Sequence, residues 1–257
     1  MTFTLITGAS AGIGYEVAKR FYFHGHSLLL VARNAERLEA LKRELPESQN
    51  QKIKTIAMDL SNPNAARLLF EQTQHNGWHV DTLINNAGFG TFGLFDETNL
   101  ETLENMMHLN MVTLTALMHF FIKPMRAAKH GQVINIASTA AFQGIPKFSV
   151  YAASKAFVLH LSEALHVEYK NYGICVSAIC PGATATQFAT RAQMQNSKIF
   201  KPAVSATPEA VAALCYSTWK NRKAIAVHGI ANRLLVFLSR FMPRTLNTKL
   251  AGKFVDV

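Results

Sequence analysis

The sequence predicts an α/β fold in which a mainly parallel sheet is covered by helices on both faces. Short apolar runs typical of strands alternate along the 257 residues with longer segments of helical spacing. Most of these runs are continuously apolar, as in strands that are covered on both sides. Strands that alternate with helices are joined by right-handed crossovers and lie parallel. The predicted strands are Phe3–Thr7, Ser27–Ala32, Lys54–Asp59, Thr82–Asn85, Gln132–Ala137, Ile174–Ile179 and Lys223–Val227.

The helical spacing is clearest behind the first three strands, in Tyr15–Phe23, Ala35–Leu45 and Ala65–Gln74. The chain contains no internal repeat and no obvious linker, and its length suits one α/β domain. We therefore expect a single domain over residues 1–257. Residues 190–257 are expected to pack on it as a substrate loop and a basic C-terminal region.

Composition excludes several classes of protein. Hydrophobic residues make up 49% of the chain and charged residues 16%, which provides for a core and excludes a disordered chain. No apolar run approaches the roughly 20 residues of a membrane span, and the N-terminus lacks the charged region of a secretory leader. The three cysteines have no C-x-x-C spacing, which argues against a disulfide framework and favours a reducing compartment. We expect a cytoplasmic protein.

A glycine-rich turn, TGASAGIG at residues 7–14, follows the first predicted strand and precedes the first predicted helix. Glycines permit a tight turn and let the backbone approach a pyrophosphate, while the helix N-terminus supplies N–H donors and a positive dipole. The spacing is G-x-x-x-G-x-G rather than the more common G-x-G-x-x-G. Its position between strand and helix is nevertheless the one that dinucleotide binding requires. A turn that binds no ligand is the alternative.

The end of the second predicted strand indicates which dinucleotide is bound. Sites for NAD place an acidic residue about 20 positions after the glycines, on the ribose 2′-hydroxyl. This strand instead ends in Arg33 and Asn34, and the nearest acid, Glu36, falls inside the next helix. A cation suits a 2′-phosphate. The sequence therefore favours NADP(H), with NAD as the alternative if Arg33 is only a solvated surface charge.

Polar and small residues end the third and fourth strands, where an open α/β sheet binds its ligands. Asp59 can accept a hydrogen bond from an adenine amino group, although the same stretch could equally cap the next helix. The fourth strand ends in the sequence NNAG at residues 85–88, whose small residues let a cofactor lie close to the backbone.

Tyr151 and Lys155 are the strongest candidates for catalysis. They lie four residues apart in a helical segment and so share one helix face. A free tyrosine titrates near about 10, and a neighbouring ammonium lowers its pKa. Ser138 ends the fifth strand and can donate a hydrogen bond to a substrate oxygen where charge develops.

These residues together make the sequence similar to the short-chain dehydrogenase/reductase family, in its compact branch. The matching segments follow the family's order and cover the first three quarters of the chain. They are TGASAGIG (7–14), Asp59-Leu60, NNAG (85–88), Asn110 in HLN, Ser138, YAASK (151–155) and PGATAT (181–186).

The resemblance implies a role for each matching residue. Tyr151 would donate a proton in reduction and accept one in oxidation, and Lys155 would lower the tyrosine pKa and bind ribose. Ser138 would polarise the carbonyl, and Asn110 would hold a water that links Lys155 to solvent. Implied cofactor contacts at the pyrophosphate are Gly8, Ser10, Gly12, Ile13 and Gly14. Those along the strand ends are Asp59, Leu60, Asn86, Ala87 and Gly88, and those at the nicotinamide end are Pro181, Gly182, Thr184 and Thr186.

The same resemblance implies a Rossmann-type three-layer αβα sandwich with a doubly wound, mainly parallel seven-stranded sheet. It implies an oxidoreductase that moves a hydride between a nicotinamide cofactor and a carbonyl or alcohol. It also implies a homodimer or homotetramer packed through the helices that carry Asn110 and Tyr151. One position departs from the pattern, since Ala11 stands where many NADP-preferring members have arginine or lysine. Arg33 then carries the NADP preference alone.

The substrate is weakly encoded. The residues expected to face it are mostly apolar, which favours a hydrophobic or aromatic carbonyl compound, although the phenylalanines could equally pack the core. They are Ala140, Phe142, Gln143, Phe148 and Phe188. The stretch Gly182–Ser205 has no clear pattern and is expected to be a mobile loop beside the active site.

The net charge of +10 is concentrated at the C-terminus. Residues 191–257 hold 11 lysines and arginines against 2 acids, whereas residues 1–190 are nearly neutral. Apolar residues recur at near-helical spacing in Ile230–Met242, and a second basic segment, Arg244–Phe254, follows Pro243. This region could pack on the body or on a partner subunit, contact anionic lipid peripherally, or capture an acidic carrier or acyl thioester.

Three functions remain open from the sequence. The first is an NADPH-dependent carbonyl reductase or alcohol dehydrogenase for a hydrophobic small molecule. The second is a membrane-associated reductase of lipids or acyl thioesters. The third is a dinucleotide-sensing protein without catalysis, against which the complete set of catalytic residues argues. Nucleic acid is not an expected partner, because no binding module is visible, and the histidines have no metal-ligand spacing.

Overall fold

Seven parallel strands form the centre of the computed structural model, which describes residues 1–45, 49–192, 194 and 205–255. All seven predicted strands are present, with ends that differ by at most three residues. They are β1 (Thr2–Thr7), β2 (Leu28–Ala32), β3 (Ile53–Ala57), β4 (His79–Asn85), β5 (Gly131–Ile136), β6 (Ile174–Cys180) and β7 (Ile225–Val227).

The strand order is β3-β2-β1-β4-β5-β6-β7, and each described pairing is parallel. The chain therefore builds outward from β1 to β3 and then returns to place β4 on the other side of β1. Such a reversal opens a crevice at the carboxyl ends of the two central strands, where α/β sheets bind their ligands. The doubly wound sheet that the sequence predicts is confirmed.

Helices cover both faces of the sheet. The three helices predicted behind the first strands are found with small shifts at their ends. The α-helices are α1 (Gly12–Tyr22), α2 (Ala35–Glu44), α3 (Ala65–His75), α4 (Leu100–Met107), α5 (Leu114–Ala127), α6 (Ser149–Tyr169), α7 (Phe188–Arg191), α8 (Pro208–Lys220), α9 (Ile230–Ser239) and α10 (Arg244–Val255). A π-helical segment, His108–Thr113, joins α4 to α5.

Two apolar cores lie between these layers. Phe121 of α5 and Val158 of α6 pack against one face of the sheet in a cluster that also holds buried residues of α3. Phe21 of α1 and Val211 of α8 pack against the other face, with buried residues of α2. Since these side chains are almost wholly removed from water, their burial supplies the main driving force for the three-layer arrangement.

The two C-terminal helices lie beside the segment that precedes α6. A Cβ added to Gly252 of α10 would lie 3.0 Å from Pro146, and one added to Gly144 would lie 3.4 Å from Thr248.

The sequence places a helix over Ile230–Met242, but α9 ends at Ser239. Among the described residues, no helix combines the length and apolarity needed to cross a membrane.

The stretch Gly182–Ser205, predicted to be a mobile loop, is described in part. A β-bridge joins Thr184 to Ala206, and the four residues of α7 follow. Residues 193 and 195–204 lie outside the described residues. The mobility of this stretch stays a prediction.

Candidate active site

The glycine-rich turn lies at the carboxyl end of β1, where the strand order reverses. Gly8 and Gly12 have φ angles of +67° and +58°, a left-handed conformation that glycine adopts readily. A Cβ on Gly14 would lie 2.3 Å from the Gly8 carbonyl oxygen, so the first turn of α1 packs directly on the loop. The N-cap residue of α1, Ala11, makes no side-chain hydrogen bond to the helix. A helix start with uncapped N–H groups behind a glycine cradle fits a pyrophosphate.

The end of β4 braces this turn. The Asn86 side-chain amide donates to the carbonyl oxygens of Thr7 and Gly8, at 2.9 and 3.2 Å. The backbone N–H groups of Asn86 and Ala87 both donate to the Thr7 hydroxyl, each at 3.0 Å. Asn86, predicted to contact the cofactor, thus uses its amide to hold the turn. Thr7 was not among the predicted site residues, because its contact lies 79 residues away along the chain.

Arg33 and Asp59 meet at the ends of β2 and β3. The guanidinium Nη1 lies 3.9 Å from Asp59 Oδ2, and the Arg33 side chain is 68% exposed. Burial alone would raise the pKa of Asp59, but the hydrogen bonds from Ser61 and the charge of Arg33 outweigh it and lower that pKa. Arg33 therefore presents most of its guanidinium to solvent at the crevice rim. The side chain of Leu60 is buried in the core, and the predicted cofactor contact of this residue stays a prediction.

Tyr151 lies in the first turn of α6 and is 7% exposed. Its ring stacks on Phe148, with centroids 4.3 Å apart, and its centroid lies 5.3 Å from that of Phe188. Burial raises the pKa of Tyr151 to about 12, and a side-chain hydrogen bond with Ser138 opposes that shift. Ser138 follows β5 and also accepts a hydrogen bond from the Ala140 N–H. The geometry thus joins the two predicted hydroxyl groups in an apolar setting.

Lys155 lies one helical turn after Tyr151 and is buried. Its Nζ donates to the Ile136 carbonyl oxygen at 2.7 Å and lies 5.7 Å from the centroid of the Tyr151 ring. Burial lowers the pKa of Lys155 to about 8, with a smaller opposing effect from Cys180. In this arrangement burial dominates the pKa of the tyrosine. A lowering of that pKa by Lys155 stays a prediction.

Asn110 lies in the π-helical segment and is 1% exposed. Its amide nitrogen donates to the Phe89 carbonyl and the Ser154 hydroxyl, at 2.9 and 3.1 Å, and its amide oxygen accepts from the Phe89 N–H. A Cβ on Gly88 would lie 2.8 Å from Asn110 Oδ1 and 3.6 Å from Lys155 Nζ. The four predicted catalytic residues are therefore brought to one end of the crevice. Whether Asn110 holds a water there stays a prediction.

A buried chain of polar side chains ties α6 to the sheet, through contacts between residues that lie far apart in the sequence. The Asn85 amide donates to Asn135 Oδ1 at 2.9 Å, and the Asn135 amide donates to the Ser162 hydroxyl at 2.9 Å. Ser162 in turn donates to the Val158 carbonyl. Buried polar groups are costly unless paired, so these bonds fix the position of the helix that carries Tyr151.

The predicted nicotinamide-end residues follow β6. The Pro181 carbonyl accepts from the Thr139 N–H at 2.8 Å, which places this loop beside Ser138. The Thr184 hydroxyl donates to the Gly182 carbonyl at 3.0 Å. A Cβ on Gly12 would lie 3.0 Å from Thr186 Cγ2. The loop thus reaches from the catalytic end of the crevice to the glycine-rich turn.

Comparison with known proteins now decides the family. A family model described as short chain dehydrogenase matches residues 2–197. The chain belongs to the short-chain dehydrogenase family. This dehydrogenase is accordingly an NAD(P)-dependent oxidoreductase.

Relatives of this short-chain dehydrogenase include enzymes named for acyl thioesters. The fatty acyl-CoA reductase of Acinetobacter baylyi is 35% identical over 227 residues, covering 87% of this chain and 75% of that protein. The very-long-chain 3-oxoacyl-CoA reductase-like protein of Arabidopsis thaliana is 32% identical over 261 residues, covering 99% and 78%. A solved short-chain dehydrogenase from Sphingobium yanoikuyae, in complex with NADPH, has a TM-score of 0.82 at 30% identity and covers 94% of each chain.

The residues expected to face the substrate of the dehydrogenase divide into two groups. Ala140 and Phe148 belong to the apolar cluster that contains Tyr151, and Phe188 packs against it. Phe142 instead packs against the larger core beneath the sheet, and Gln143 is half-buried. Phe142 therefore serves the core rather than the wall around Tyr151.

Gly90 of the dehydrogenase is a site residue that sequence reasoning missed. A Cβ at this position would lie 2.9 Å from Tyr151 Cδ2 and from Phe188 Cζ, and 3.0 Å from Phe148 Cε2. Its only sequence signal was a glycine two residues after the NNAG segment. The ring of Tyr151 occupies the space that any side chain at position 90 would need.

We expect Gly90→Ala to lower kcat at least tenfold, because the added methyl group must displace the Tyr151 ring. Overpacking of this kind costs about 1–3 kcal/mol, so the variant should still fold. Steady-state kinetics and thermal unfolding measure the two effects. Gly144→Ala is the matched control, since its Cβ meets its nearest neighbour at 3.4 Å. Unchanged kcat in Gly90→Ala would contradict the packing described for Tyr151.

Proposed function

We propose that this dehydrogenase uses NADP(H) to interconvert a carbonyl and an alcohol on a hydrophobic substrate, with Tyr151 as acid and base. The observation that carries the proposal is that Tyr151, Ser138 and Lys155 lie together at the end of the crevice, with Lys155 Nζ 5.7 Å from the centroid of the Tyr151 ring. Two hydroxyl groups at one point suit a carbonyl oxygen, which accepts two hydrogen bonds as negative charge develops on it. The aromatic wall of Phe148 and Phe188 suits an apolar substrate.

Near neutral pH Tyr151 is protonated and Lys155 is charged, and these are the states that reduction of a carbonyl requires. With a pKa of about 12, Tyr151 keeps its proton and can give it to the oxygen of the reacting carbonyl. With a pKa of about 8, Lys155 carries its charge at pH 7 and attracts the negative charge that Tyr151 acquires. A bound reduced nicotinamide supplies the hydride. The glycine-rich turn and the start of α1 would hold its pyrophosphate, and Lys155 would hold the adjoining ribose.

NADPH is the proposed cofactor because Arg33 extends its guanidinium into solvent at the crevice rim. We expect the purified protein to bind NADPH at least tenfold more tightly than NADH, a difference of about 1.4 kcal/mol. Replacing Arg33 by alanine should remove most of that preference. Fluorescence titration of the reduced nicotinamides measures both affinities.

Arg43→Ala provides the matched control for this experiment, since Arg43 is also exposed and lies in the last turn of α2. It removes the same charge and should keep the NADPH preference. Tighter binding of NADH, or a preference that survives Arg33→Ala, would make Arg33 a bystander. A preference for NADH would also reassign the enzyme as an alcohol oxidiser.

An acyl-thioester reductase is the second candidate function. It is favoured by two relatives whose names refer to acyl-CoA substrates and by the basic charge of residues 191–257. A panel that pairs a 3-oxoacyl-CoA, a fatty acyl-CoA and a free ketone of the same chain length separates the candidates by kcat/KM. Tight cofactor binding with no turnover across the panel would instead favour a dinucleotide sensor. A cytoplasmic location and assembly as a dimer or tetramer complete the proposal.

A further inference from the structure

Helix α9 carries its apolar residues on the side that faces solvent. Its large side chains are 46–85% exposed, with the highest values at Ile230 (85%) and Phe241 just after the helix (73%). We call the surface formed by five of these side chains the outward face. They are Ile230, Leu234, Phe237, Leu238 and Phe241. At 100° per residue, these five positions fall within one stripe.

The opposite side of α9 is the less exposed one, although it is richer in polar groups. Asn232, Val236 and Ser239 are half-buried. The Asn232 amide donates to the His228 carbonyl. A Cβ on Gly182 would lie 2.5 Å from Asn232 Nδ2. A surface helix of a soluble protein normally turns its apolar stripe inward. In α9 this orientation is reversed, and contiguous exposed apolar surface of this kind marks an interaction site.

The charges around the outward face have one sign. The exposed basic residues of α9, of the C-cap that follows it and of α10 are Arg233, Arg240, Arg244, Lys249 and Lys253. No acidic residue occurs between residues 230 and 255. A second copy of the chain docked on this face would bring two such basic sets together, which is unfavourable. An anionic surface is the complementary partner.

Helix α10, which follows α9 in the chain, packs against the residues around Tyr151. Ala251 and Val255 of α10 belong to the same apolar cluster as Ile145, Phe148 and Tyr151. A surface bound through α9 and α10 would therefore lie beside the residues that surround Tyr151.

We propose that the outward face of α9 docks in the plane of an anionic lipid bilayer. Ile230, Leu234, Phe237, Leu238 and Phe241 enter the boundary between headgroups and acyl chains, and the basic residues of α9 and α10 bind the lipid phosphates. Docking does not depend on the reaction proposed above. If that reaction is correct, an apolar substrate dissolved in the bilayer reaches Tyr151 from the adjoining face.

The test is co-sedimentation of the purified full chain with vesicles of phosphatidylcholine, with and without phosphatidylglycerol. We expect binding to the anionic vesicles only, and a loss of binding at high salt. Phe237→Ser/Phe241→Ser and Arg240→Gln/Arg244→Gln should each lower the partition coefficient at least tenfold. Phe23→Ser is the matched control, because Phe23 is a phenylalanine exposed to a similar extent (70%) on another helix end. It should bind as the unaltered chain does.

Three outcomes would overturn the proposal. In the first, the Phe237→Ser/Phe241→Ser variant binds anionic vesicles as tightly as the unaltered chain. In the second, the unaltered chain binds neutral and anionic vesicles equally. In the third, the unaltered chain binds no vesicles but self-associates, and the two serine substitutions abolish that self-association. The last outcome would assign the face to a second copy. Thermal unfolding and NADPH titration of each variant exclude misfolding. Turnover of a water-soluble carbonyl, measured without vesicles, reports separately on the proposed reaction.

Discussion

Replacement of Tyr151 by phenylalanine is expected to lower kcat for carbonyl reduction by about 10²- to 10⁴-fold, the usual contribution of a positioned proton donor. The substitution removes one hydroxyl group and keeps the ring, so stacking on Phe148 at 4.3 Å is preserved. Affinity for NADPH should change less than twofold. Stopped-flow or steady-state oxidation of NADPH, together with fluorescence titration, measures both quantities.

The matched control for this variant is Tyr172→Phe. Tyr172 is 46% exposed, near the C-terminal end of α6, and its substitution removes an equivalent hydroxyl group away from Ser138. Its kcat should equal that of the unaltered enzyme. Retained turnover in Tyr151→Phe, with normal cofactor binding, would sink the catalytic assignment.

Replacement of Lys155 by methionine is expected to lower kcat. It is also expected to change how the free energy of unfolding depends on pH. Loss of the cation should lower kcat by about 10²-fold or more, because the charge that develops at Tyr151 is no longer balanced. Burial lowers the pKa of Lys155 to about 8, whereas an unfolded lysine titrates near about 10.4. Between these values the unfolded chain binds more protons than the folded chain.

Because the unfolded chain binds the extra proton, this lysine makes the free energy of unfolding rise as the pH increases from 8 to about 10. Lys155→Met lacks that rise. The free energy of unfolding of the variant minus that of the unaltered enzyme should therefore be most positive near pH 7 and decrease above pH 8. Urea unfolding at a series of pH values measures the difference, in which the other titrating groups cancel.

Lys170→Met, at an exposed position just after α6, removes the same charge away from the crevice and serves as the control, with kcat equal to that of the unaltered enzyme. A flat difference for Lys155→Met would mean that the folded enzyme does not depress the pKa of this lysine.

The sequence predicted the architecture well because its strands are buried on both faces. Each of β2, β5 and β6 is wholly buried, so β2 appears as a continuous apolar run, and β5 and β6 appear as apolar runs interrupted by single polar residues. The first three residues of β4 were not predicted, because His79 is exposed and Asp81 interrupts the apolar pattern. The motif residues of the crevice were found because their spacing is local.

Residues whose role depends on distant contacts could not be found in this way. Gly90 is informative only beside the ring of Tyr151, 61 positions later. Asn135 is informative only between Asn85 and Ser162. The apolar spacing of α9 predicted a helix, but spacing alone does not tell which side of a helix faces the protein.

The π-helical segment at Asn110 sets a relation between two parts of the enzyme that look independent. Each residue of an α-helix turns the chain by about 100°, and a π turn accommodates one residue more than an α turn. Asn110, within this segment, faces Ser154, while Phe121 in the following helix α5 faces the core. Deleting a single residue here would rotate the chain by about 100°, so Asn110 and Phe121 could not both keep their present positions. The extra residue of the π turn thus sets the rotation of α5 so that Asn110 faces the crevice while the apolar side of α5 faces the core.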